Sequence, residues 1–167
     1  TLHPGTSKVE RSWHAERFGI LCQKIFKDDG EKIVLLGTQA EEKLLNRIKN
    51  YCPPGKVKII PAVNLRVLAG VLKKSRMFIG NDSGMMHLAA MVGTPIVAIF
   101  GPGNDGTSGP YMAPENFEIL TENYSCSPCR QRFFKECKPS PHNKPYCLED
   151  ITVKNVYEAI HRLSKRI

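Results

Sequence analysis

Asn81-Asp82-Ser83-Gly84, followed one helical turn later by His87, are residues of the types that receive anions and sugars. The first N–H groups of a helix have no partner inside it and carry a partial positive charge, which suits a phosphate. Gly84 omits the Cβ that would block close approach, and Ser83 adds a hydroxyl donor. A carboxylate repels a phosphate, so amides or a sugar hydroxyl are the expected partners of Asp82. The same four residues also read as a plain helix start with Asp82 or Ser83 as N-cap. His87 is expected opposite the stripe Met85, Leu88, Ala89 and Val92, where it either packs or donates to a ligand.

Three other corners carry related chemistry. His3-Pro4-Gly5-Thr6-Ser7 with Arg11 offers two hydroxyls and a guanidinium, a group suited to bidentate phosphate contacts, although the segment also reads as a solvated loop. Gly37-Thr38-Gln39-Ala40-Glu41 puts an acid where it could hold ribose hydroxyls, while Glu41 and Glu42 equally complement a helix dipole. Phe100-Gly101-Pro102-Gly103 turns the chain and could shape a pocket wall. Separately, Cys126-x2-Cys129, Cys137 and Cys147 form a four-thiol set of the kind that binds zinc or iron tetrahedrally. Two disulfides or free thiols are the alternatives, because the spacing matches no standard module. No Gly-x-Gly-x-x-Gly, Gly-Lys-Ser/Thr or Gly-x-Ser-x-Gly occurs, so the usual dinucleotide, P-loop and serine-hydrolase readings lose their support.

The elements that must position these corners follow from periodicity. Helical spacing is predicted over 15–27, 40–51, 83–92 (ending at Gly93), from Asn64 with Leu65, Leu68, Ala69 and Leu72 inward, and from Thr152. Short apolar runs at 32–37, 57–60, 77–80, 96–100 and 117–120 predict strands. Strands apolar throughout, alternating with helices, mean an α/β fold: a Rossmann-like parallel sheet with helices on both faces. In such sheets ligands bind beyond the carboxyl ends of the strands, where all four corners fall. Thr1 to Gly5 reads as the end of a strand whose start is missing, so the chain is expected to be half of a two-domain protein. Residues 125–148 break the pattern as a loop rich in Cys, Pro and basic residues.

At 167 residues the chain can bury a full core, and 41% hydrophobic with 24% charged residues excludes a disordered chain. No apolar run is long enough to span a bilayer, and no signal-peptide pattern is read, so a reduced setting is expected and the cysteines favour metal over disulfides. The formal charge of +8 favours anionic partners: nucleotides, nucleic acid or an acidic membrane surface.

With the corners assembled, the chain resembles the C-terminal, donor-binding domain of the bacterial lipopolysaccharide heptosyltransferases, glycosyltransferases of GT-B fold. The resemblance is carried by HPGTSKVERSW (3–13), LLGTQAEE (35–42), FIGNDSGMMHLAA (78–90) and GTPIVAIFGP (93–102). It implies that residues 1–167 are one nucleotide-sugar donor domain, with the N-terminal acceptor domain absent. The implied activity is inverting transfer of heptose from ADP-heptose to the lipopolysaccharide inner core, by an enzyme at the cytoplasmic face of the inner membrane, peripherally associated with it. Thr6, Ser7 and Arg11 would contact the phosphates, Glu41 the nucleoside, and Asp82, Ser83, Gly84 and His87 the diphosphate and sugar. Arg11 would stabilise the leaving group, the base would lie in the absent domain, and no catalytic metal would be required. A zinc or iron at Cys126, Cys129, Cys137 and Cys147 would be structural; some relatives hold an iron on four cysteines with other spacing.

Arg11 stands where the family often has lysine, and Gly103 where it often has threonine. A related GT-B transferase using another nucleotide sugar is the alternative within enzymes. A metal-stabilised nucleic-acid-binding module is the alternative of another class, but it lacks interleaved aromatics on a basic face, so no nucleic-acid partner is expected.

Overall fold

A computed structural model describes residues 1–61, 64–127 and 129–167. Six strands, β1 (Leu2–His3), β2 (Ile33–Gly37), β3 (Val57–Pro61), β4 (Phe78–Asn81), β5 (Ile96–Phe100) and β6 (Phe117–Thr121), form one sheet in the order β3-β2-β1-β4-β5-β6. Every pairing is parallel. The helices are α1 (Ala15–Lys24), α2 (Glu42–Lys49), α3 (Leu65–Lys73), α4 (Gly84–Met91), α5 (Asp105–Ser108), α6 (Tyr146–Glu149) and α7 (Val153–Ser164). None is long and apolar enough to cross a membrane among the described residues.

The sheet is buried on both faces, and the period of two along each strand decides which side chain goes where. Leu35, Ile79, Val97 and Ile99 join Phe18 and Leu21 of α1, Leu45 and Ile48 of α2, and Val156 and Leu163 of α7 in one core. Their alternates Leu36, Phe78, Ile96, Ala98 and Phe100 meet Leu68 and Leu72 of α3 and Met86 and Ala89 of α4 in the other. Each such large apolar side chain, fully buried, contributes roughly 1.5–3 kcal/mol of transfer free energy. Two layers of helix therefore hold the strand ends, and the corners between them, in fixed register.

The helix ends agree with the sequence at several points. Asn64 caps α3 by accepting from the Arg66 N–H at 2.8 Å, and Thr152 opens α7 in a capping box with Asn155. Gly93 closes α4 at φ 76, a left-handed conformation that glycine adopts without strain. The first helix is α-helical to Lys24 and then widens into a π turn, Ile25–Asp29, whereas the spacing predicted a uniform helix to 27. Leu65 was expected inward but is 69% exposed, because α3 buries only the Leu68–Leu72 side. On α4 the fully buried pair is Met86 and Ala89, so the predicted stripe is rotated and Met85 and Leu88 are left at its margin.

Candidate functional site

The strand order reverses direction between β1 and β4: from β1 the chain moves to β2 and β3, and from β4 to β5 and β6. At such a switch point neighbouring connections part to opposite faces and leave a crevice beyond the carboxyl ends of the strands. A cleft of about 610 Å³ lies there, and Thr6, Ser7, Glu41, Ser83 and Gly84 all line it. A more enclosed cavity of about 540 Å³ sits at the opposite ends of the strands, around Lys74–Met77, His161 and Ser164. Lys32, Lys74 and Arg76 line it together with Asp29 and Glu31, and α3 and α7 finish there with their negative dipole ends, whereas α4 presents its N-terminus to the carboxyl-end cleft.

Within the cleft each corner has local causes. Ser83 occupies the N-cap position of α4 without making a side-chain cap bond. Its Oγ instead lies 3.4 Å from His3 Nδ1. A Cβ added at Gly84 would meet no atom within 4 Å beyond its chain neighbours and its own helix backbone, so the space above the helix end is open. Glu41 fixes the helix start with one oxygen and leaves the other on the cleft side of Gly5. Its Oε2 accepts from the Thr38 N–H at 2.7 Å and from Thr38 Oγ1 at 2.9 Å, a capping box at the helix start. The other oxygen lies where a Cβ on Gly5 would be, 1.8 Å from that position, so only glycine at 5 admits this carboxylate beside β1. Thr6 donates its hydroxyl to the Lys8 carbonyl at 2.6 Å.

Arg11, in the short 3-10 turn Val9–Arg11, pairs with the buried carboxylate of Asp82. Within the chain the partner of the Asp82 carboxylate is therefore a guanidinium and not the backbone amides that the sequence suggested. Gly103 belongs to the same arrangement, since a Cβ there would come within 2.7 Å of Asp82 Oδ2. Threonine at 103 would therefore displace the carboxylate that holds Arg11. Arg11 and Asp82 stand behind the cleft lining, joined to it through Ser83, whereas His87 is half-buried on α4 and also stays outside the lining.

Two residues that the sequence places in the corners without a role of their own hold the site together. His3, at the carboxyl end of the central strand, lines the cleft, and burial pushes its pKa below the ordinary histidine value against the pull of Glu41. Asn81 is fully buried; its Oδ1 accepts from the Trp13 N–H at 3.0 Å and its Nδ2 donates to the Pro4 carbonyl at 2.8 Å. Each bond satisfies a backbone group of the segment that carries Thr6, Ser7 and Arg11. A polar residue ending the apolar strand Phe-Ile-Gly-Asn was the available signal.

The cysteine loop, described apart from Pro128, is braced against that segment. Lys144 Nζ donates to the Val9 carbonyl at 2.8 Å. Glu149 accepts from Ser140 Oγ at 2.7 Å and Arg17 Nη2 at 2.6 Å, and His142 Nδ1 lies 3.1 Å from it. His14 Nε2 is 3.2 Å from the same carboxylate but not aligned for a hydrogen bond. Burial, then the charge of Arg17, lowers the His14 pKa. All four loop cysteines are free thiols. Burial first, then the neighbouring thiols of Cys129, Cys126 and Cys137, pushes Cys147 up to about 12. Among the described residues no group of three or more His, Cys, Asp or Glu stands where it could hold one metal ion.

The doubly wound parallel sheet with an anion-receptive cleft at its switch point defines a Rossmann-like domain of the α/β class. The chain belongs to glycosyltransferase family 9 (heptosyltransferase), whose family model matches residues 1–138. A curated relative, lipooligosaccharide heptosyltransferase 2 of Campylobacter jejuni serotype O:2, is 30% identical over 98% of this chain and 50% of its own length. The chain thus spans about half the length of the curated relatives it matches. Among solved structures, ADP-heptose lipopolysaccharide heptosyltransferase II of Escherichia coli superposes with TM-score 0.79 at 20% identity, covering 97% of this chain and 45% of that one. The family 9 glycosyltransferase of Veillonella parvula gives TM-score 0.79 at 26% identity, with coverage of 99% and 46%.

Proposed function

We propose that this chain is the donor-binding half of an inverting glycosyltransferase that moves heptose from ADP-heptose to the inner core of lipopolysaccharide at the cytoplasmic face of the inner membrane. The observation that carries the reading is the cleft itself: a helix N-terminus kept clear at Gly84, with the Arg11 guanidinium beside it through Asp82. The names of the relatives supply the sugar and the acceptor, heptose and lipooligosaccharide or lipopolysaccharide. In this reading Ser83 and the first-turn amides of α4 receive the diphosphate, with Ser7, and with Thr6 once its hydroxyl turns from Lys8. The free oxygen of Glu41 takes the ribose hydroxyls. His87, outside the cleft lining, is given no contact.

The chemistry follows from where charge develops. As the glycosidic bond breaks, the electron pair passes to the leaving diphosphate, and a fixed guanidinium with a helix end gains most at that moment. The acceptor hydroxyl must lose its proton to a base on the far side of the sugar. That base is assigned to the acceptor domain, outside these residues. Isothermal calorimetry with ADP, UDP and GDP tests the donor assignment. ADP should bind with measurable heat and the other two more weakly; equal, negligible heats for all three would sink it.

We also propose that the four loop thiols close on one structural zinc or iron ion. Support comes from their chemistry, four free thiols gathered near Cys147, although the loop must contract before three of them could share an ion. Bound there, the ion would supply a cross-link for a loop with little core of its own. Elemental analysis of protein purified without chelator should find about one zinc or iron per chain. Two disulfides and no metal by mass spectrometry would overturn this.

A further inference from the structure

We propose that the basic arc joining Lys8 and Val9 to the loop tip at residues 130–138 is the surface by which this chain docks on an anionic lipid bilayer. The two segments are far apart in sequence and adjacent in space. Lys8 Nζ stands 5.3 Å from the centroid of the Phe133 ring, and Lys144 ties the loop to the Val9 carbonyl at 2.8 Å. Residues 130–138 carry four cations, two of them Arg132 and Lys135, against one acid, Glu136. Arg130, Arg132 and Lys135 are exposed, and the Arg132 side chain is 62% exposed even while it reaches Glu136. Val9, between Lys8 and Glu10, leaves 69% of its surface in water.

An exposed aliphatic side chain beside Lys8 and next to a cation-rich loop matches the boundary of an anionic bilayer, where apolar groups enter the headgroup layer and ammonium and guanidinium groups meet phosphates. Nucleic acid fits less well. Val9 cannot stack on a base, and the Phe133 face that could is covered by the Lys8 ammonium. The arc begins one residue after Ser7, so it borders the mouth of the cleft. A bilayer engaged there would hold a lipid-borne acceptor beside the donor. That consequence, but not the lipid contact itself, rests on the proposed donor site.

Co-sedimentation of the 167-residue chain with phosphatidylglycerol–phosphatidylcholine vesicles, and with phosphatidylcholine alone, tests the surface. The chain should bind the anionic vesicles, ignore the neutral ones and be released by salt. Arg132→Ala with Lys135→Ala should weaken binding by about fivefold per cation removed. Val9→Asp should weaken it further. Lys73→Ala with Lys74→Ala removes the same charge from the end of α3, far from the arc, and should leave binding unchanged. Equal loss in both pairs would mean diffuse attraction and overturn the docking surface. So would random duplex DNA binding as tightly at the same salt and losing affinity with the same Arg132 and Lys135 replacements. ADP affinity should be unaltered in the Arg132/Lys135 variant. Absent ADP heat in wild type and variant alike, with vesicle binding intact, would refute the donor reading and leave the surface standing.

Discussion

In the full-length transferase, Arg11→Ala should lower kcat by roughly a hundredfold or more, the scale of losing one preorganised donor to a developing anion. The structure adds a second consequence. Asp82 is 5% exposed and Arg11 is its counter-ion, so the alanine variant leaves an uncompensated buried carboxylate next to the proposed diphosphate site. Repulsion should then raise the donor KM as well. The two effects separate in a double-mutant cycle. Adding Asp82→Asn to Arg11→Ala should restore much of KM while leaving kcat low, because the amide removes the repulsion without replacing the cation. Arg11→Lys should recover part of kcat, since charge survives while the bidentate fork does not. Steady-state kinetics on the four variants decide the matter. If Arg11→Ala raises KM with kcat untouched, Arg11 is a binding residue only, and the leaving group depends on the α4 end alone.

This pairing marks the limit of what the sequence could reveal. The strand Ile96–Phe100 and the cap at Asn64 were legible because local periodicity and local hydrogen bonding determine them. The positions of the corners were legible because a parallel sheet puts its loops where ligands bind. The pairing of Arg11 with Asp82 depends on β1 lying beside β4, a tertiary register that no spacing encodes. The same holds for His3 with Ser83, and for Asn81 reaching back to Pro4 and Trp13. Leu65 and Met85 misled the reading because an amphipathic pattern gives no warning that one apolar residue will line a cleft instead of a core. Glu41 shows a subtler failure. Its helix-dipole and ligand readings were weighed as rivals, yet a carboxylate has two oxygens, and here one caps the helix start while the other lies over Gly5.

Gly84→Val should abolish ADP binding and leave the domain folded, because Gly84 and Gly103, on either side of Asp82, are kept for opposite reasons. At Gly103 an added Cβ meets Asp82 Oδ2 at 2.7 Å and Phe100 Cδ1 at 3.0 Å, so the protein itself excludes a side chain. At Gly84 an added Cβ meets nothing within 4 Å beyond its chain neighbours and its own helix backbone. Valine there costs the fold little, and leaving glycine behind offsets part of the helix penalty of a β-branched residue. The one thing its methyl groups obstruct is an anion approaching the first turn of α4. Two charge-assisted bonds to backbone amides, at about 1.5–3 kcal/mol each, amount to roughly a hundredfold or more in Kd. Gly84→Ala should fall between, since one methyl crowds the approach less than two. Calorimetry with ADP reads the affinity, and a thermal melt matching wild type shows that the fold survives. Wild-type ADP affinity in the valine variant would show that no diphosphate comes near this helix end, and the proposed donor site would have to be abandoned.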